Sequence, residues 1–198
     1  PPQMDPRAML PTAKSIVAMG FRHARGCFRG IEEGTFFTAY SAMGYASINF
    51  IYQPHVLHQV GRLIEDAGYD VLPIPNNFPW NNINVSGWTP PEVTAQANPA
   101  KSRPLAPGKP APDVFIHLRL ACFAAGLGEI GYSKRLLTKE FGPRQRIAVL
   151  LTDAELEPDP VIEPGTLCNR CMACVRACPG GCIPPDRTVK VTVAGREL

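Results

Sequence analysis

The stretch CNRCMACVRACPGGC, Cys168 to Cys182, places five of the chain's seven cysteines within fifteen residues. The first four follow the spacing Cys168-x2-Cys171-x2-Cys174-x3-Cys178, and Pro179 comes directly after. Two-residue spacers let one tight loop aim three thiolates at three irons of a single cubane, the spacing of bacterial [4Fe–4S] ligand runs. A zinc knuckle would instead want two Cys-x2-Cys pairs separated by a longer spacer. Cysteines crowded at ligand spacing also favour metal over a disulfide scaffold.

In two-cluster modules the fourth cysteine of such a run serves the other cluster. Cys168, Cys171 and Cys174 are therefore expected to hold one cluster, with Cys178 pointing toward a second. Only Cys182 is spare nearby, so the seven cysteines complete one cluster at most. The second requires residues beyond Leu198, and the chain is expected to continue there. Cys122 reads as a core residue, and Cys27, in an arginine-rich loop, as a plain thiol.

Working outward, 198 residues suffice for one real core with a small appendage. The hydrophobic fraction of 45% and charged fraction of 19% are ordinary for a globular chain. A net charge of +3 falls short of the clustered excess of a nucleic-acid binder. The longest uncharged stretch, Gly34 to Gly61, is interrupted by Thr, Ser, Asn, Gln and Pro, so no membrane span is expected. Metal-binding thiols imply a reducing compartment, most simply the cytoplasm. The opening PPQMDPR lacks an initiator Met and leaves export open.

Residues 13–21 read as a buried strand. Residues 55–69 read as a helix with a stripe of Val56, Val60, Leu63 and Ala67, Pro54 in its first turn and Gly68 at its C-terminal cap. Residues 70–74 follow as a strand. Residues 113–126 are helical by pattern, with Asp113 as N-cap and Leu118, Cys122 and Ala125 inward. Residues 146–153 are expected as a central strand and 189–195 as a terminal one. Residues 88–112 form a long proline-rich connection of the kind that serves as a lid or a disordered insert. The domain boundary falls near Pro160.

Gly126-x-Gly128-x2-Gly131 matches the dinucleotide fingerprint, but a helix pattern precedes it where a strand is required, and no acidic residue ends a second strand about twenty positions on. His55 and His58 could share a metal, though no third ligand is in sight. Arg22, His23, Arg25 and Arg29 form a basic loop, either a solvated edge or an anion contact.

Residues 124–160, with AGLGEIG, EFGPRQR and LLTDAELEPD in order before CxxCxxCxxxCP, resemble the cobalamin-dependent iron–sulfur reductases. Within that group they look most like the reductive dehalogenases, with epoxyqueuosine reductase a more distant relative. DPRAMLPTAKSIV (5–17) and LIEDAGYDVLPIPNN (63–77) are similar to the group's first strand and its helix–strand unit.

The resemblance implies an α+β fold. A nitroreductase-like corrinoid-binding core would span residues 1–160, carrying the 88–112 insert, and a ferredoxin-like iron–sulfur module residues 161–198, incomplete at its C-terminus. It implies two cofactors, [4Fe–4S] and cobalamin, with Gly126, Gly128, Gly131 and Phe50 packed against the corrinoid. Arg146 corresponds to an active-site arginine, and Asn76 or Asn77 to the group's asparagine. The group's proton-donating tyrosine falls on Phe50; Tyr52 and Tyr45 are near but neither is in register, and Tyr52, two residues on, is the candidate donor. Dehalogenation is therefore not expected, and a non-halogenated small molecule is the expected substrate. The implied partners are a low-potential donor such as ferredoxin or flavodoxin and a second copy of the chain. Two other functions fit the same residues: an electron-transfer or corrinoid-reactivating subunit, and tRNA modification. The modest charge and the lack of helical repeats after the cysteine module weigh against tRNA modification.

Overall fold

Strand β5 (Gln145–Thr152) is the spine of the molecule, and its sequence explains why. QRIAVLLT carries an unbroken apolar run with no charge after Arg146, and Ile147 through Thr152 are all buried. Such a run suits a strand covered on both faces. The computed structural model describes residues 5–76 and 116–198. There β5 lies between β1 (Ser15–Arg22) and β2 (Val71–Ile74), antiparallel to both. The register pairs Ser15 with Thr152 and Phe21 with Arg146 on one side, and Ile74 with Val149 on the other.

Period-two alternation along β5 divides the core in two. Ile147, Val149 and Leu151 face one cluster with Leu118, Ala121, Cys122 and Phe123 of helix α3 (Leu118–Ala124). Ala148 and Leu150 face the other, against Leu57, Val60 and Ile64 of α2 (Gln53–Asp66). Helices on both faces of one sheet make a three-layer mixed arrangement. Truncating Leu150, fully enclosed, to Ala would cost about 2–5 kcal/mol.

Two sequence expectations need correction. The inward stripe of α2 is Leu57, Val60, Gly61 and Ile64, whereas Leu63 is 71% exposed and Ala67 is also exposed. Gly61 faces Val71 and Leu150 within that stripe, at a position where a Cβ would make ordinary van der Waals contact. The second helix begins at Leu118, with the His117 ring accepting the Leu120 N–H as its cap. Ala125 lies beyond its end and is only partly buried. Pro54 does occupy the first turn of α2, and Gly68 ends it with φ +89°, a conformation costly for other residues. Asp113, Asn77 and the 88–112 segment lie outside the described residues.

Between β1 and α2 come α1 (Gly26–Glu32) and a run of wide π-helical turns, Tyr40–Ala46 and Ile48–Tyr52. There Ser47 N–H bonds to Ala42 O and Gln53 N–H to Ile48 O, each five residues back. After α3, β3 (Glu129–Ile130) and β4 (Leu136–Leu137) form a small hairpin. The cysteine segment contains only one short helical turn, α4 (Ala173–Arg176). A closing hairpin pairs β6 (Thr192–Val193) with β7 (Arg196–Glu197), shorter than the strand expected over 189–195. Val161, Val193 and Leu198 pack on the α3-side cluster, so the segment after Pro160 is tied to the main core. Among the described residues no helix is long and apolar enough to cross a membrane.

Candidate functional site

Two constellations bear chemistry. One gathers where β1 and β2 end and β5 begins. Arg146, on β5, donates from Nε to Asn49 Oδ1 at 3.0 Å, and its guanidinium lies 4.7 Å from the centre of the Tyr45 ring. Asn49 is only 1% exposed and Arg146 is half-buried, so two contacts orient this arginine. Gln53 is fully buried and joins two elements, donating to Ile147 O at 3.3 Å and accepting the Asn76 N–H at 2.9 Å. Asn49 in the wide turns and Gln53 at the start of α2 lie on one continuous segment, and these two side chains set Arg146 and Asn76 at the same end of the sheet.

Phe50 and Tyr52 belong to the same segment but point outward, each 53% exposed. Phe50 meets Tyr45 edge-on at 6.4 Å, and no hydrogen bond ties Tyr52 to Arg146 among the described residues. Phe36, Phe37, Met43 and Ile51 of the same stretch are exposed as well. His23 packs among Phe28 and Tyr40, with ring centres 5.0 and 6.0 Å away. Burial, and then the Arg146 charge, hold its pKa below the usual histidine value. Of the basic loop, Arg29 pairs with Glu33, while Arg144, just before β5, pairs with Glu32 and covers Phe28. His55 and His58 are both exposed on α2.

The second constellation is the cysteine loop. All seven cysteines are free thiols. Arg170 and Met172 adopt left-handed backbone with φ of 53° and 59°, which curls the chain tightly between Cys168 and Cys174. The Arg176 guanidinium closes the curl on Cys171 O at 3.1 Å. Among the described residues no three His, Cys, Asp or Glu side chains converge as ligands of a single ion. A cubane asks something different, since each thiolate meets its own iron at a separate corner.

The anchor of this loop was not evident from the sequence. Glu129, in the centre of the glycine-rich segment, is 2% exposed. Its carboxylate accepts three backbone N–H groups, from Gly165 at 2.8 Å, Leu167 at 2.5 Å and Cys168 at 3.2 Å. Tyr132, three residues on, donates its backbone N–H to Cys168 Sγ at 3.3 Å and its hydroxyl to Pro184 O at 2.7 Å. The only sequence signal for Glu129 is an acidic residue within an otherwise apolar glycine-rich stretch.

The same contacts explain the glycines. Gly126 has φ +78°, and a Cβ there would meet Pro160 O at 2.8 Å. A Cβ on Gly128 would strike the Leu137 carbonyl, and one on Gly131 would sit 2.7 Å from Leu137 Cδ1 and 3.6 Å from Cys168 Sγ. Buried Cys122 has its thiol pushed up to about 12 by burial. Cys27 is also buried, on α1 and not in a loop, because the arginine-rich stretch winds into helix. At the far end of the run, Cys178 Sγ and Cys182 Sγ lie 3.3 Å apart.

No family model matches the chain. Over 69 residues it is 45% identical to tetrachloroethene reductive dehalogenases from Desulfitobacterium hafniense and Dehalobacter restrictus. That segment is 34% of this chain and 12% of each relative. Among solved structures, epoxyqueuosine reductase from Streptococcus thermophilus aligns with 96% of this chain and 41% of its own, at 15% identity and a TM-score of 0.45. Over about a third of its length, the chain is a homologue of the tetrachloroethene reductive dehalogenases.

Proposed function

We propose that this chain is part of a corrinoid-dependent iron–sulfur reductase, an oxidoreductase acting on a small molecule. The observation that carries the reading is the hold on Cys168, whose Sγ receives the Tyr132 N–H while its own N–H is fixed by buried Glu129. Backbone donors aimed at ligand sulfurs are how proteins orient and tune iron–sulfur centres. Free, partly accessible thiols on a left-handed curl suit such a cluster.

Cys168, Cys171 and Cys174 would hold one [4Fe–4S] cluster, and Cys178 would serve either this cluster or a second one. In this reading residues 161–198 form a ferredoxin-like module on a nitroreductase-like core of residues 1–160. The apolar surface of Phe50, Ile51 and Tyr52 beside Tyr45 suits the face of a broad macrocycle. Gly126, Gly128 and Gly131 would touch it through backbone alone, because the space over their Cα atoms is filled by Pro160, Leu137 and Cys168. A bound corrinoid would supply low-valent cobalt able to donate electrons to the substrate.

The chain's own part is orientation and electrostatics. Arg146, held by Asn49 and Tyr45, presents positive charge to an anionic group on the substrate. Phe50 has no proton to give, so Tyr52 or Tyr45, the latter against Arg146, would supply one, and Asn76 offers an amide at the same sheet end. The missing tyrosine at Phe50 supports a non-halogenated substrate. A low-potential ferredoxin or flavodoxin would reduce the cluster in the cytoplasm, and a homodimer would place two such sites in one assembly.

An absorption spectrum of anaerobically purified protein, with iron, sulfide and cobalt analysis, tests the proposal. Broad iron–sulfur absorption together with corrinoid bands is the expected result. Iron–sulfur absorption that persists without corrinoid uptake would replace the enzyme with an electron-transfer subunit.

A further inference from the structure

Cys182 lies outside the four-cysteine ligand run, yet the fold delivers it to Cys178. Pro179 fixes the first corner residue of a turn, and the Gly181 N–H closes it on Cys178 O at 3.1 Å. Gly181 has φ +55° with open space around it, so the chain reverses there without strain. The result is two sulfurs 3.3 Å apart, one half-buried and one exposed, both reduced. A disulfide needs about 2.05 Å between sulfurs, so closure asks for a movement of about 1.3 Å. The flexible glycine pair of the turn can supply it.

We propose that Cys178 and Cys182 form a thiol–disulfide switch that decides whether Cys178 is free to ligate iron. The oxidant is a low-molecular-weight disulfide such as oxidised glutathione. The Cys178 thiolate attacks one of its sulfurs, breaking that S–S bond and releasing one glutathione thiolate. Cys182 then attacks the Cys178 sulfur of the mixed disulfide and expels the second glutathione. Two electrons pass from the two cysteines to the glutathione pair, and the two thiol protons go to the departing thiolates. Closed, the switch leaves Cys168, Cys171 and Cys174 as the only thiolates of the run. Its consequence for the cluster rests on the iron–sulfur reading above; the pairing of the two sulfurs does not.

Trypsin makes the test direct. Cleavage after Arg170, Arg176 and Arg187 puts Cys171 and Cys174 on one peptide and Cys178 and Cys182 together on peptide 177–187. Cluster-free full chain is treated with oxidised glutathione, alkylated and digested. Peptide 177–187 should appear lighter by two hydrogens and without alkyl groups, a state reversed by dithiothreitol. In Cys182→Ser the internal bond should be replaced by a glutathione adduct on Cys178. Two alkyl groups on peptide 177–187, or an internal bond confined to Cys171 and Cys174, would overturn the proposal. The oxidised protein should also take up less iron and sulfide than the reduced protein, and equal uptake before and after reduction would refute the switch. Failure of the reduced protein to take up iron would overturn the iron–sulfur reading itself, leaving the peptide result standing.

Discussion

The Glu129 carboxylate accepts the Cys168 backbone N–H at 3.2 Å, and through it the glycine-rich segment grips the first cysteine of the ligand run. The same carboxylate takes the N–H groups of Gly165 and Leu167. A buried acceptor with three donors is worth most when it is removed, since each orphaned N–H costs about 1–3 kcal/mol. Glu129→Ala should lower stability by at least that amount and loosen the loop, while Glu129→Gln, which keeps one acceptor oxygen, should be milder. Thermal unfolding combined with hydrogen exchange at Leu167 and Cys168 checks this. Equal protection in Glu129→Ala and the parent would contradict it.

Asn49 and Gln53 orient the Arg146 end of the sheet. A hydrogen bond to a charged group contributes about 1.5–3 kcal/mol, so Asn49→Ala should destabilise by roughly that much and leave Arg146 mobile. Gln53→Leu should instead release Asn76 while sparing Arg146. Denaturant midpoints for the two variants, with exchange protection at Asn76, separate the effects.

His23 gives the fold a pH dependence of definite sign. Burial, then the Arg146 charge, depress its pKa below the ordinary histidine value of 6.5; Tyr40 and Cys27 also line its surroundings. The unfolded chain therefore binds a proton near 6.5 that the folded chain resists, and stability falls as pH drops below that value. Above it the contribution is fully present. In His23→Gln the loss between about one unit above and about one unit below this pH should be smaller than in the parent. Parallel urea midpoints for the two proteins would count against the assignment.

Cys122, with its thiol pushed up to about 12, should stay unmodified by iodoacetamide in the folded protein near neutral pH, and so should buried Cys27. The five cysteines of the loop should react in the cluster-free chain. Labelling followed by peptide mapping decides it.

How much of this could be read beforehand depends on the range of each interaction. The apolar run of β5 announced a central strand because covering both faces is a local composition effect. Pro54 and Gly68 marked the ends of α2 because each constrains its own backbone. The facing stripe of α2 was not legible, because the face that turns inward is set by packing on Ala148 and Leu150, far along the chain. Nor was the role of Glu129, whose three donors lie 36 to 39 residues away. Asn49 and Gln53 were missed for the same reason. Asn49 sits in the wide turns and Gln53 opens α2, and both meet β5 only after the chain has folded.

The central claim is that the Cys168–Cys178 run holds an iron–sulfur cluster. Anaerobic reconstitution with iron and sulfide, followed by metal and sulfide analysis and EPR of the reduced protein, tests it most directly. The account predicts iron and sulfide in equal amounts, a [4Fe–4S] signal, and loss of both in Cys171→Ala. Stoichiometric zinc without sulfide, or unchanged iron in Cys171→Ala, would contradict it.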